Sequence, residues 1–137
     1  MLIVKHFIHI VIMAAVFLVT FAKAEVIKEG SFQATSDGVN VTLHWFTLDE
    51  LNIVRYDIER RAGIDGEFTV VGTVSPKGPS LYDFVDYSAF RKATGVYQYR
   101  IKITFVNNSV LFSNAVTVTH TVSGIRRTWG SLKAMFR

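Results

Sequence analysis

Apolar and polar residues alternate along the middle of this chain in short, evenly spaced runs. Val41, Leu43 and Trp45 share one side of a run whose other side carries Thr42, His44 and Phe46. Tyr56 and Ile58 alternate with Arg55, Asp57, Glu59 and Arg61, and Tyr97, Tyr99, Ile101 and Ile103 alternate through 96–103. A period of two over four to eight residues is the pattern of a half-buried strand. Read this way, strands are expected over 26–34, 39–46, 53–61, 68–74, 81–85, 96–105 and 111–121. Turn signals separate them: Ser36-Asp37-Gly38, Asp65-Gly66, the Pro- and Gly-bearing loop 75–79, and Asn107-Asn108, which tolerates positive φ. Seven short strands with turn residues between them predict an all-β fold, a seven-stranded antiparallel immunoglobulin-like sandwich. Trp45, Tyr56, Ile58, Tyr97, Tyr99 and Ile101 are its expected core.

The pattern changes at both ends. Lys5 and His6 precede an apolar run over 7–21, and Ala22-Lys23-Ala24 supplies small residues at cleavage spacing. This is the form of a secretory signal, so residues 1–24 are expected to be a signal peptide cleaved after Ala24. The run is short for a membrane span of about 20 residues. At the other end, residues 122–137 carry the chain's one amphipathic helical pattern. Stepping about 100° per residue from Ile125 brings Trp129, Leu132, Met135 and Phe136 toward one side, with Arg126, Arg127, Lys133 and Arg137 on the other. Gly130 inside it costs about 1 kcal/mol against Ala, so a short helix is expected there only where its apolar face meets a partner.

Charge is distributed unevenly. The whole chain of 137 residues has a formal net charge of +4. Residues 25–121 hold 9 basic and 11 acidic residues, a net of −2, and the basic excess lies in the two ends. A nucleic-acid partner is therefore not expected. The chain contains no cysteine, which rules out disulfides and thiolate metal sites.

Candidate chemistry is sparse. His44 and His120 stand on separate strands without the three or four convergent ligands that a metal requires, and both are expected to be exposed strand residues. Asp83 and Asp86 flank a strand end and Asp49-Glu50 lie on a loop, where solvated or cross-strand roles are expected. Ser-nucleophile elbows and phosphate-cradling glycine loops are absent. No catalytic residue, metal ligand or cofactor is expected, and the chain is read as non-enzymatic. Arg55, Asp57, Glu59 and Arg61 with Arg100 and Lys102 suit a charged binding face or a solvent face of cross-strand ion pairs.

Trp45-Phe46-Thr47-Leu48-Asp49-Glu50-Leu51-Asn52 carries a W-x-T-x-x-E-x-N pattern. Tyr56-Asp57-Ile58-Glu59-Arg60-Arg61, Phe68-Thr69-Val70-Val71-Gly72 and Tyr97-Gln98-Tyr99-Arg100-Ile101-Lys102 follow it. With these motifs, residues 25–121 resemble a fibronectin type III domain, and are similar to the fibronectin-like repeats of exported Gram-negative bacterial proteins. The resemblance implies that Trp45 is the buried tryptophan of the second strand and that Tyr97, after Gly95, is a tyrosine corner. It implies location in the periplasm, at the cell surface or outside the cell.

The expected function is an exported, non-catalytic binding or scaffold module of the envelope. Its docking element would be Arg126, Arg127, Trp129, Leu132, Lys133, Met135, Phe136 and Arg137. A protein partner at the envelope is expected, or a membrane surface met through the tail. The rival readings are self-assembly through exposed edge strands and peripheral lipid binding.

Overall fold

A computed structural model describes residues 25–89 and 93–121. Eight strands follow one another: β1 Gln33–Ser36, β2 Val41–Phe46, β3 Ile53–Ala62, β4 Thr69–Val74, β5 Leu81–Asp86, β6 Gly95–Phe105, β7 Val110–Phe112 and β8 Val116–His120. They form two antiparallel sheets. One has the order β1-β2-β5; the other runs β4-β3-β6, with β7 and β8 both paired to the far side of β6. No helix stands among these strands. The expected C-terminal helix and docking residues lie outside the described residues, as does the expected signal peptide.

The inward positions of both sheets meet in one core. Val41, Leu43 and Trp45 of β2 face Tyr56 and Ile58 of β3 and Tyr99, Ile101 and Ile103 of β6, all buried, with Tyr82 and Tyr97 beside them. Trp45 stacks on Tyr82 with ring centroids 5.2 Å apart, and Tyr56 meets both rings edge-on. Offset and edge-to-face pairs of this kind add about 0.5–1.5 kcal/mol each beyond the area they bury. Gly72 faces inward on β4, where a Cβ would run into the ring of Phe84 on β5. The missing side chain lets the two sheets close at that edge.

Two expected strands are shorter or divided. The strand expected over 26–34 is broken by a turn at Glu29-Gly30: Gly30 has φ +74°, and the Ser31 hydroxyl donates to Lys28 O at 2.6 Å. Ahead of the turn only Ile27 bridges to Thr47. The strand expected over 111–121 is split into β7 and β8, so there are eight strands rather than seven. At the break, the Ile101 N–H donates to the Ser113 hydroxyl at 2.8 Å and the Ser113 N–H to Ile101 O at 2.9 Å. A side chain thus completes a ladder bond that the backbone leaves open.

Candidate functional site

Three polar assemblies stand out, two buried and one open. The first is centred on Glu50, just beyond β2. Its carboxylate accepts from Tyr82 Oη (2.5 Å), Thr47 Oγ1 (2.8 Å) and the Gly78 N–H (2.8 Å). Burial by itself would raise Glu50, but the bonds from Tyr82, Thr47 and Gly78 prevail and hold the carboxyl below its ordinary value. Burial, then the bond to Glu50, pushes Tyr82 up to about 12; burial and the nearby Glu50 charge raise Tyr56 further still. Asn52 closes the loop at φ 62°, and its carbonyl accepts from Val106 N–H at 2.8 Å. The W-x-T-x-x-E-x-N residues therefore tie the 47–52 loop to its neighbours.

The second assembly joins the two sheets. Arg60 of β3 donates to Asp86 of β5 at 2.5 Å and to the Ser88 hydroxyl at 3.0 Å. Tyr99 of β6 donates to the same Asp86 oxygen at 2.8 Å, while the Ser88 N–H and hydroxyl donate to the other. Asp86 is 2% exposed. Burial and the bond to Asp86 raise Tyr99 above its ordinary range. The expectation that Asp86 is a solvated strand-end residue is corrected: it is a buried acceptor, because Tyr82, Phe84 and Asp86 fall on the inward side of β5.

His120, expected to be exposed, is fully buried at the end of β8. Its Nδ1 lies 2.7 Å from the Ser36 hydroxyl on β1, joining the two sheets at their edge. His44 remains on the outer side of β2 and bonds Asp83 of β5 directly opposite. Among the described residues no group of three or more His, Cys, Asp or Glu is placed to hold a metal ion.

The third assembly lies on the outer side of the β4-β3-β6 sheet. Arg100 of β6 is sandwiched between two rings: its guanidinium carbon is 4.0 Å from the centroid of Phe68, just before β4, and 4.1 Å from that of Phe112 on β7. Arg61 of β3 covers Phe68 at 4.4 Å. Phe68 thus meets both guanidiniums, and Arg100 meets both rings. Glu59 accepts from Arg100 Nε at 2.6 Å, and Gln98 accepts from Arg61 Nε and Nη2 at 2.9 and 2.6 Å. These bonds fix both guanidiniums in place. Phe112 is 46% exposed and borders an open groove of about 520 Å³ whose other walls include Ile27, Phe32, Leu111 and Asn114. The alternation marked Arg61 and Arg100 as outward, but the part played by Phe68 and Phe112 escaped it. Phe68 precedes its strand, and Phe112 stands opposite Lys102 only through the β6–β7 register.

Such a strip offers flat ring faces between forked donors, the chemistry that recognises planar or ring-shaped polar ligands. Comparisons with solved structures bear on which. The chain is similar to the pectate lyase PelI from Erwinia chrysanthemi, solved in complex with tetragalacturonic acid (18% identity, TM-score 0.52), covering 64% of this chain and 27% of that one. It is also similar to a family 76 glycoside hydrolase from a bovine Bacteroides thetaiotaomicron strain (15% identity, TM-score 0.52), covering 67% of this chain and 20% of that one. The chain thus spans about a quarter and a fifth of the two solved chains. No family model and no curated protein matches it.

At this identity the likeness concerns the fold. Both solved neighbours that share it are carbohydrate-active enzymes, which points away from the expected non-enzymatic binding or scaffold module, and that expectation is withdrawn. That expectation rested on reading the carboxylate pairs as solvated or cross-strand groups, and on the absence of serine-elbow and phosphate-cradle motifs. Those motifs report on acyl and phosphoryl transfer and carry no information about chemistry on glycans.

Proposed function

We propose that residues 25–121 form an exported fibronectin type III-like sandwich that serves carbohydrate-active machinery by engaging saccharide on the outer side of the β4-β3-β6 sheet. The observation that carries this reading is the Arg61–Phe68–Arg100–Phe112 stack. Sugar rings present apolar C–H faces and a rim of hydroxyls, which suit an exposed aromatic ring flanked by fixed hydrogen-bonding groups. The fold-level likeness to two carbohydrate-active proteins supports the choice of ligand class. Export is supported by the signal-like residues 1–24. The fibronectin type III assignment is supported by the Tyr97 hydroxyl, which donates to Ala93 O at 2.6 Å in the manner of a tyrosine corner.

Electrophoresis of the full chain through gels containing acidic or neutral polysaccharides tests this reading. Retardation is expected in at least one gel. Phe112→Ala removes a half-exposed ring and should weaken retardation by roughly five- to tenfold, the value of one aromatic contact. Unchanged mobility in every gel, or full retention by the Ala variant, would overturn it.

A further inference from the structure

The outer side of the β4-β3-β6 sheet carries four cations, Arg55, Arg61, Arg100 and Lys102, against two acids, Asp57 and Glu59. Both acids are already engaged. Asp57 binds Arg55 Nε at 3.1 Å through one oxygen and the Thr73 hydroxyl at 2.8 Å through the other. Glu59 binds Arg100. Arg61 and Lys102 are left without an anionic partner among the described residues. Arg61 is held by the neutral Gln98 and by Phe68, and its Nη1 makes no hydrogen bond there. Lys102 stands opposite Phe112 on one side and opposite Asp57 on the other in the register, but that carboxylate's oxygens are taken by Arg55 and Thr73.

A domain whose net charge is −2 thus gathers two unneutralised cations on the face that also bears the ring stack. The two are separated by about 13 Å along the strand direction, four residues at ~3.3 Å each, with Arg100 and the rings between them. Two partly exposed cations on one face make a local positive field that favours a bound anion.

We infer that the saccharide taken by this face is anionic: a uronate-bearing chain whose rings lie along Phe112 and the stack, with its carboxylates at Arg61 and Lys102. The inference rests on the reading that this face engages carbohydrate. A guanidinium pre-set by Gln98 and Phe68 presents a fork that matches a carboxylate. The ammonium of Lys102 supplies a second, less directional contact. The sparse charge of a sugar acid fits two separated cations, whereas a densely charged nucleic acid would also meet the acidic remainder of the domain.

The test compares polygalacturonate with its fully methyl-esterified form, which keeps the rings and removes the charge, using isothermal titration of the full chain. The acid form should bind about tenfold tighter, the worth of one charge-assisted hydrogen bond at the low end of its range, and should lose that advantage at high salt. Lys102→Gln should cut acid-form affinity several-fold and leave the ester form unchanged, and Arg61→Gln, which also alters the stack, should cut the acid form more than the ester form, with the thermal midpoint of each variant recording that it folds. Equal affinity for acid and ester overturns the inference, as does equal displacement by single-stranded DNA of matched charge. If only neutral glycans bind, the inference fails and the carbohydrate reading stands; if no glycan binds, the carbohydrate reading fails with it.

Discussion

Glu50 accepts three hydrogen bonds from three separate points of the chain, so its ionisation is coupled to folding. The folded protein holds this carboxyl below its ordinary value of 4.5. As pH falls through 4.5, the unfolded chain takes up the proton first, and unfolding is favoured. The stabilisation is therefore complete above about 4.5 and is lost as pH drops through the lower folded-state value. Asp37 acts in the same sense: Asn40 and Val39 N–H groups lower it, at an exposed turn where the effect on stability is small. Glu50→Gln should lower the urea midpoint at neutral pH and flatten its fall between pH 5 and pH 2.5 relative to the parent. Parallel midpoint curves would show that Glu50 is not the coupled group. Gln can still accept from Thr47 and Tyr82 through Oε1, but its amide nitrogen cannot accept the Gly78 N–H, so the neutral-pH loss includes that bond and the change in pH slope reports the charge.

Element by element, alternation found the strands, and side-chain chemistry decided where they stop. Val41 to Trp45 and Tyr97 to Ile103 lie where period two put them, because their apolar sides have a facing sheet to bury against. Gly30 and Ser113 acted below the reach of that pattern. Gly30 turns the chain at a positive φ and Ser113 takes over a ladder bond from the backbone, and neither step is written in the period of the run. Ser113→Ala tests this for the β7–β8 break. It leaves the Ile101 N–H without its acceptor and should cost about 1–2 kcal/mol, seen as lost hydrogen-exchange protection at Ile101 while β3 amides keep theirs. Equal protection in both variants would mean that water or a neighbouring carbonyl replaces the hydroxyl. The candidate site was legible in part. Arg61 and Arg100 fall on the outward side by simple counting, but the ring stack depends on Phe68, outside any strand, and on a cross-strand register that no local pattern encodes. The buried pair follows the same parity: Arg60 falls on the side of Tyr56 and Ile58, and Asp86 on the side of Tyr82. An inward Arg calls for an inward acid.

At the scale of the whole molecule, the ring stack is useful only if the sheet beneath it is held still, and the Arg60–Asp86 pair is placed to do that. Arg60 belongs to the same strand as Arg61 and Glu59 but points through the sheet to β5. The pair thereby fixes the strand that carries Arg61 of the stack and Glu59, the acceptor that holds Arg100. The Arg60 and Asp86 side chains are 9% and 2% exposed, so removing one partner strands a buried charge and should cost about 3–5 kcal/mol. Asp86→Leu is therefore expected to be severe. Arg60→Met with Asp86→Leu removes both charges and should recover most of that loss, yet it leaves the Tyr99 hydroxyl without the acceptor it now has. That orphan should cost about 1–3 kcal/mol, and adding Tyr99→Phe should return it. Chemical denaturation of the single, double and triple variants gives these steps directly, and a double variant no more stable than Asp86→Leu would refute the pairing. The triple variant then asks what the network does beyond stability. With a dry apolar contact in its place the sheets stay together but the directional tie on β3 is gone. Weaker saccharide retention at unchanged midpoint would show that the pair positions the face, and unchanged retention that packing alone suffices.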